Sequence, residues 1–80
     1  MDNLKQSVTA LKKTVEISPE NPAAHGQLGV ALYRLQRLDE AIDCYNKVID
    51  FQPNSVAAYA NLAIAYLDIG RRDEIGRAHV

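Results

Sequence analysis

The chain has 80 residues, room for at most one small domain with a marginal core. Its formal net charge of −1 offers no electrostatic footprint for nucleic acid or an anionic membrane. A single cysteine, Cys44, excludes an internal disulfide and a thiolate metal cluster. No apolar run approaches a membrane span, and Met1–Ala10 has no apolar core for a secretory signal, so the expected setting is cytoplasmic.

Residues 1–18 read as one helix, with Leu4, Val8, Leu11 and Val15 on its apolar face and Pro19 ending it. Asn21 is placed to cap a second helix, expected over 22–36, because its side chain accepts free N–H groups and Pro22 loses nothing at the first helical position. Ala24, Leu28, Ala31, Leu32 and Leu35 recur there at helical spacing. Arg37 and Leu38 read as a turn, and Asp39 as the cap of a third helix over 39–52, with Glu40 favoured by the dipole in its first turn. Ala41, Ile42, Tyr45, Val48 and Ile49 make its stripe, and Pro53 stops it. Ser55 caps the next helix, which carries Ala58, Leu62, Ala65, Tyr66 and Ile69. Gly70 is expected to close it, and Asp73 and Glu74 to open another.

These elements repeat every 34 residues. Shifted by that amount, Leu4/Leu38, Pro19/Pro53, Ala23/Ala57, Ala24/Ala58, Leu28/Leu62, Ala31/Ala65, Arg37/Arg71 and Asp39/Asp73 are identical pairs. Such a period with helical patterning predicts an all-α, antiparallel helix-pair solenoid of about four helices plus a C-terminal stub. Residues 1–18 are the second helix of a truncated unit, 22–55 a complete unit, and 56–74 the first helix and the start of the second helix of another. Small residues at matching places (Gly29 and Ala63, Ser7 and Ala41) allow close helix approach, and Leu28, Leu32, Tyr45 and Tyr66 fill the spaces beside them.

The pattern resembles the tetratricopeptide repeat. Leu28–Gly29 match that family's Leu-Gly pair, Ala41 its alanine early in the second helix, Tyr45 its aromatic and Pro53 its closing proline. Tyr59, Leu62, Ala63, Tyr66 and Gly70 follow in register. The sequence departs from the family at Leu32, where Tyr is usual, at Val48, where Ala is usual, and at His25, where Trp or Tyr is frequent and packing is therefore expected to be looser. The resemblance covers about Leu4–Glu74. It implies a right-handed superhelix whose concave groove is lined by the first helix of each pair, and a role in protein–protein interaction.

Residues four and seven apart share a helix face. Gln27, Val30 and Arg34, with Tyr33 beside them, are expected to face that groove, as are Asn61, Ile64 and Asp68, with Leu67. Ala23, Gly26, Ala57 and Ala60 would let a peptide backbone come close, the amides of Gln27 and Asn61 can bond it, and the apolar members supply contact. The resemblance also argues against a carboxylate clamp, because Gly26 and Val30 stand where chaperone-type repeats carry a Lys and an Asn.

The sequence shows no phosphate loop, metal-spaced His pair or Cys-x-x-Cys, so no enzyme, cofactor or metal site is expected. The Asp-Glu pairs at 39–40 and 73–74 read as helix-start residues. After Glu74 the repeat calls for alanine, yet Ile75–Val80 place Gly76 where Ile42 packs. That tail matches one reading frame of a widely used sequencing-library adapter, so 75–80 are expected to be non-native and the chain a piece of a longer repeat protein. The leading expectation is a scaffold module that binds a peptide or partner segment in its groove. Two alternatives are a substrate-recruiting arm of a larger enzyme, such as a glycosyltransferase, and an array that associates end to end through its open ends.

Overall fold

The computed structural model describes residues 3–78, with side chains to residue 73. Four helices follow one another: α1 Asn3–Ile17, α2 Pro22–Arg34, α3 Leu38–Phe51 and α4 Val56–Ala78. The short connections return each helix against the one before it. α1 packs on α2, α2 on α3 and α3 on α4, while α2 also touches α4. The result is a slab of 45 × 33 × 15 Å without strands among the described residues.

The helix starts follow from local chemistry. Asn21 Oδ1 accepts from the Ala24 N–H at 3.2 Å, with Pro22 at the first helical position. Ser55 Oγ does the same for Ala58 at 3.2 Å. α1 and α3 both stop two residues before a proline, as Pro19 and Pro53 require.

The α2–α3 corner differs from the sequence expectation. α2 ends at Arg34 rather than 36, and Gln36 takes φ 64. The Gln36 N–H donates to Tyr33 O and the Arg37 N–H to Leu32 O, both at 2.9 Å, which is a Schellman closure on a residue that is not glycine. This closure delivers the chain directly into α3. Leu38 is therefore the buried first residue of that helix, not part of the turn, and Arg37 rather than Asp39 occupies the cap position. Asp39 and Glu40 lie in the first turn, where Glu40 accepts two 2.8 Å hydrogen bonds from the Arg37 guanidinium. These bonds hold the Glu40 carboxyl below its ordinary range. Lys12 approaches the same carboxylate from α1 at 3.9 Å.

The second correction concerns α4. It runs without a break from Val56 to Ala78, through Gly70 and through the Asp73–Glu74 pair expected to open a new helix. Gly70 does not take a positive φ. Its counterpart Gln36 turns because Leu38, Ala41 and Ile42 follow it into the core. After Gly70 the matching positions are Arg72, Ile75 and Gly76, which offer too little apolar surface to fold back. The expected stub is thus part of α4; the expectation that 75–80 are non-native concerns side chains outside the described residues.

The core gathers Val8 of α1, Leu28, Ala31 and Leu32 of α2, Ala41, Ile42, Cys44 and Tyr45 of α3, and Ala65 of α4. Its helices come close together at Gly29. A Cβ there would lie 2.6 Å from Tyr45 Cε1 and 3.2 Å from Cys44 Cβ, so only glycine lets α2 and α3 approach this closely. His25 is not loosely packed. Its Nε2 lies 2.9 Å from Pro19 O and its ring centroid 5.9 Å from that of Phe51, which ties the α1–α2 turn to the end of α3.

Candidate functional site: the cavity beside α2 and α4

The 3.6-residue period turns the α2 stripe of Ala24, Leu28 and Leu32 into the core and leaves Ala23, Gln27, Val30 and Arg34 on the other side. α4 does the same with Ala58 and Ala65 inward and Ala57 and Asn61 outward. An open cavity of about 570 Å³ is lined by Ala23, Gly26, Gln27, Val30 and Arg34 of α2 and by Ala57 and Asn61 of α4. Its floor includes Ala31, Tyr45, Val48 and Ala58, and one wall is Leu4, Ser7 and Leu11 of α1.

Of the eight residues expected at a groove, Gln27, Val30, Arg34 and Asn61 meet in this cavity. Tyr33 and Asp68 meet each other instead, with the phenol O–H donating to Asp68 Oδ2 across α2 and α4. That bond, and secondly partial desolvation, raise the Tyr33 pKa above its ordinary value. Ile64 and Leu67 are exposed on α4 and do not line the cavity.

Sequence reasoning missed the α1 wall. The signal was available, because Leu4, Ser7 and Leu11 are the 34-residue counterparts of Leu38, Ala41 and Tyr45, which α2 covers.

The lining offers hydrogen-bonding amides, one cation (Arg34), small side chains and apolar contact. Elsewhere, burial pushes the Cys44 thiol up to about 11, which leaves it a neutral packing group at physiological pH. Among the described residues no group of three or more His, Cys, Asp or Glu could hold a metal ion. No helix among them is long and apolar enough to cross a membrane.

Comparison with known proteins gives a consistent result. The family model for the TPR repeat matches residues 31–70. Among solved structures, the chain is similar to a MamA mutant, with TM-score 0.82, 34% identity, and coverage of 91% of this chain and 40% of that one. For MamA AMB-1 the values are 0.83, 34%, 91% and 40%. For a second MamA mutant they are 0.74, 31%, 92% and 66%. The chain thus spans well under half the length of the first two MamA chains. No protein of curated function matches it.

Proposed function

Because the chain belongs to the tetratricopeptide-repeat family, we propose that it is a protein-interaction module whose cavity beside α2 and α4 receives an extended or helical peptide segment of a partner. In this reading α1 is the second helix of one unit, α2 and α3 a complete unit, and α4 the first helix of the next. The observation that carries the proposal is the meeting of Gln27 and Asn61 with Ala23, Gly26 and Ala57 in one open cavity. An amide offers both a donor and an acceptor, which is what a peptide bond requires. Small neighbours let a backbone come within reach of it, and Val30 gives the partner an apolar contact. Arg34 favours an acidic side chain or a carbonyl at that end of the cavity. The Tyr33–Asp68 hydrogen bond links α2 to α4 beside the cavity.

The test is selection of binding peptides from a random linear display library, followed by titration of one selected peptide. Asn61→Ala and Gln27→Ala each remove one or two hydrogen bonds worth about 0.5–1.5 kcal/mol apiece, so affinity should fall by about 2–12-fold per bond. Selected peptides that bind both variants as tightly as the original chain would defeat the proposal.

A further inference from the structure

The cavity has a long direction, and its chemistry changes along it. On α2 the lining runs from Ala23 to Arg34, about three helical turns or about 16 Å, whereas on α4 it covers only Ala57 to Asn61, about 6 Å. A bound segment therefore follows α2. Gln27 and Asn61 occupy the same repeat position on neighbouring helices, so both amides lie toward one end, among small side chains. Val30 comes next along α2, and Arg34 stands at the far end.

The charge at that end is uncompensated. Among the described residues Arg34 is the one charged side chain in the lining, and no described carboxylate pairs with it. Its repeat counterpart Asp68, an acid on the neighbouring helix, accepts the Tyr33 hydroxyl instead. Arg34 is exposed in the last turn of α2. The helix dipole favours a cation there, but supplies no carboxylate for its guanidinium.

The amides decide the conformation of the occupant. A helix has already paired its peptide groups within itself and has none to give Gln27 or Asn61. An extended chain presents free N–H and C=O groups, and Ala23 and Gly26 let it come close. Gln27 and Arg34 are two turns apart, about 10 Å, which an extended chain covers in about three residues and a helix in about seven.

Resting on the peptide-binding reading above, we propose that the occupant is an extended segment carrying an Asp or Glu side chain that pairs with Arg34, about three residues from the peptide unit held by Gln27. Arg34 is then the specificity-determining residue of the cavity. A guanidinium takes a carboxylate through two parallel N–H···O bonds, which a single carbonyl cannot match. The cavity is open, so the segment continues past Arg34 and the acid is a side chain rather than a chain end. The chain's net charge of −1 gives acidic peptides no general attraction, so the acid is favoured at this position and not along the whole segment.

The probes are peptides selected on the unaltered chain from a random linear library, then synthesised with acetylated and amidated ends so that every negative charge is a side chain. Isothermal titration calorimetry reads their affinity. Arg34→Glu should weaken them about fivefold or more, and exchanging one peptide acid for Lys should restore binding to Arg34→Glu while weakening binding to the unaltered chain. Replacing peptide bonds by esters, one at a time, finds the unit whose loss no longer adds to that of Gln27→Ala. This unit should lie about two to four residues from the acid. Two outcomes overturn the proposal while cavity binding stands. One is peptides that lose affinity with Gln27→Ala and Asn61→Ala yet carry no acid that answers to Arg34. The other is an acid about seven residues from the unit coupled to Gln27, the spacing of a helix. If no selected peptide responds to Gln27→Ala or Asn61→Ala, cavity binding and this proposal fall together.

Discussion

Leu32 and Tyr66 occupy the same repeat position, yet Leu32 is buried and Tyr66 is half exposed, so truncating each to Ala should give very different results. Among the described residues Leu32 is the largest fully buried side chain, enclosed in the core formed by α1, α2, α3 and α4. Leu32→Ala removes its transfer free energy and leaves a cavity that helices anchored at the Gly29–Tyr45 contact cannot close. The expected cost is about 2–5 kcal/mol. Domains of this length are held by about 4–12 kcal/mol, so the loss runs from about a sixth of the stability to all of it. Tyr66→Ala gives up only the covered half of its ring and opens no cavity, for a cost of about 1 kcal/mol. Urea unfolding followed by far-UV circular dichroism, at dilution where the chain is monomeric, measures both. Equal shifts in the two midpoints, or a Leu32→Ala cost below about 1 kcal/mol, would refute the claim that one face of the repeat is closed and its counterpart open.

Further outcomes follow from single sites. Gln36→Gly should stabilise the chain by about 0.5–1 kcal/mol, because glycine takes the positive φ without the Cβ penalty that exceeds its entropy cost; thermal unfolding reads this as a raised Tm. Cys44, with its thiol near 11, should react with Ellman's reagent at pH 8 only at the rate of unfolding; fast stoichiometric reaction in the folded state would contradict the burial. Glu40 has a folded-state pKa below its unfolded one, so its contribution is complete above the unfolded pKa and is lost as pH falls through the folded value. Glu40→Gln should therefore flatten the acid side of the stability profile, modestly because the pair with Arg37 is exposed to water.

The parts of the fold legible in the sequence were those decided within a few residues. Asn21 and Ser55 cap helices because a short side-chain oxygen reaches an N–H three residues on, and the prolines stop helices by local sterics. Gly29 was legible as a close-approach site from its repeat partner Ala63. The corner at Gln36 was not, because a non-glycine residue held at positive φ is stabilised by the core that follows it rather than by its own preference. Its mirror error is Gly70, which has the right residue for a turn but no following apolar stripe to make turning favourable. His25 read as a gap because the aromatic usual there is absent; its imidazole instead meets the Pro19 carbonyl of a loop whose course no periodicity encodes. At the cavity, Gln27, Val30, Arg34 and Asn61 are the four expected residues that share a lining, since this depends only on the helix face each occupies. Ile64 and Leu67 sit on the same helix as Asn61, but the cavity is also walled by α1, whose position one helix's pattern does not contain.

The proposed recognition surface is the one where α2 and α4 present Gln27, Val30, Arg34 and Asn61. Amide chemical-shift mapping of the labelled chain, titrated with a peptide selected from the display library, tests it most directly. Saturable shifts should centre on Gln27, Val30 and Asn61, with the side-chain amides of Gln27 and Asn61 among the largest. Shifts confined to residues away from the cavity, such as Tyr59 and Tyr66, with none at Gln27, Val30 or Asn61, would place the binding surface elsewhere and contradict it.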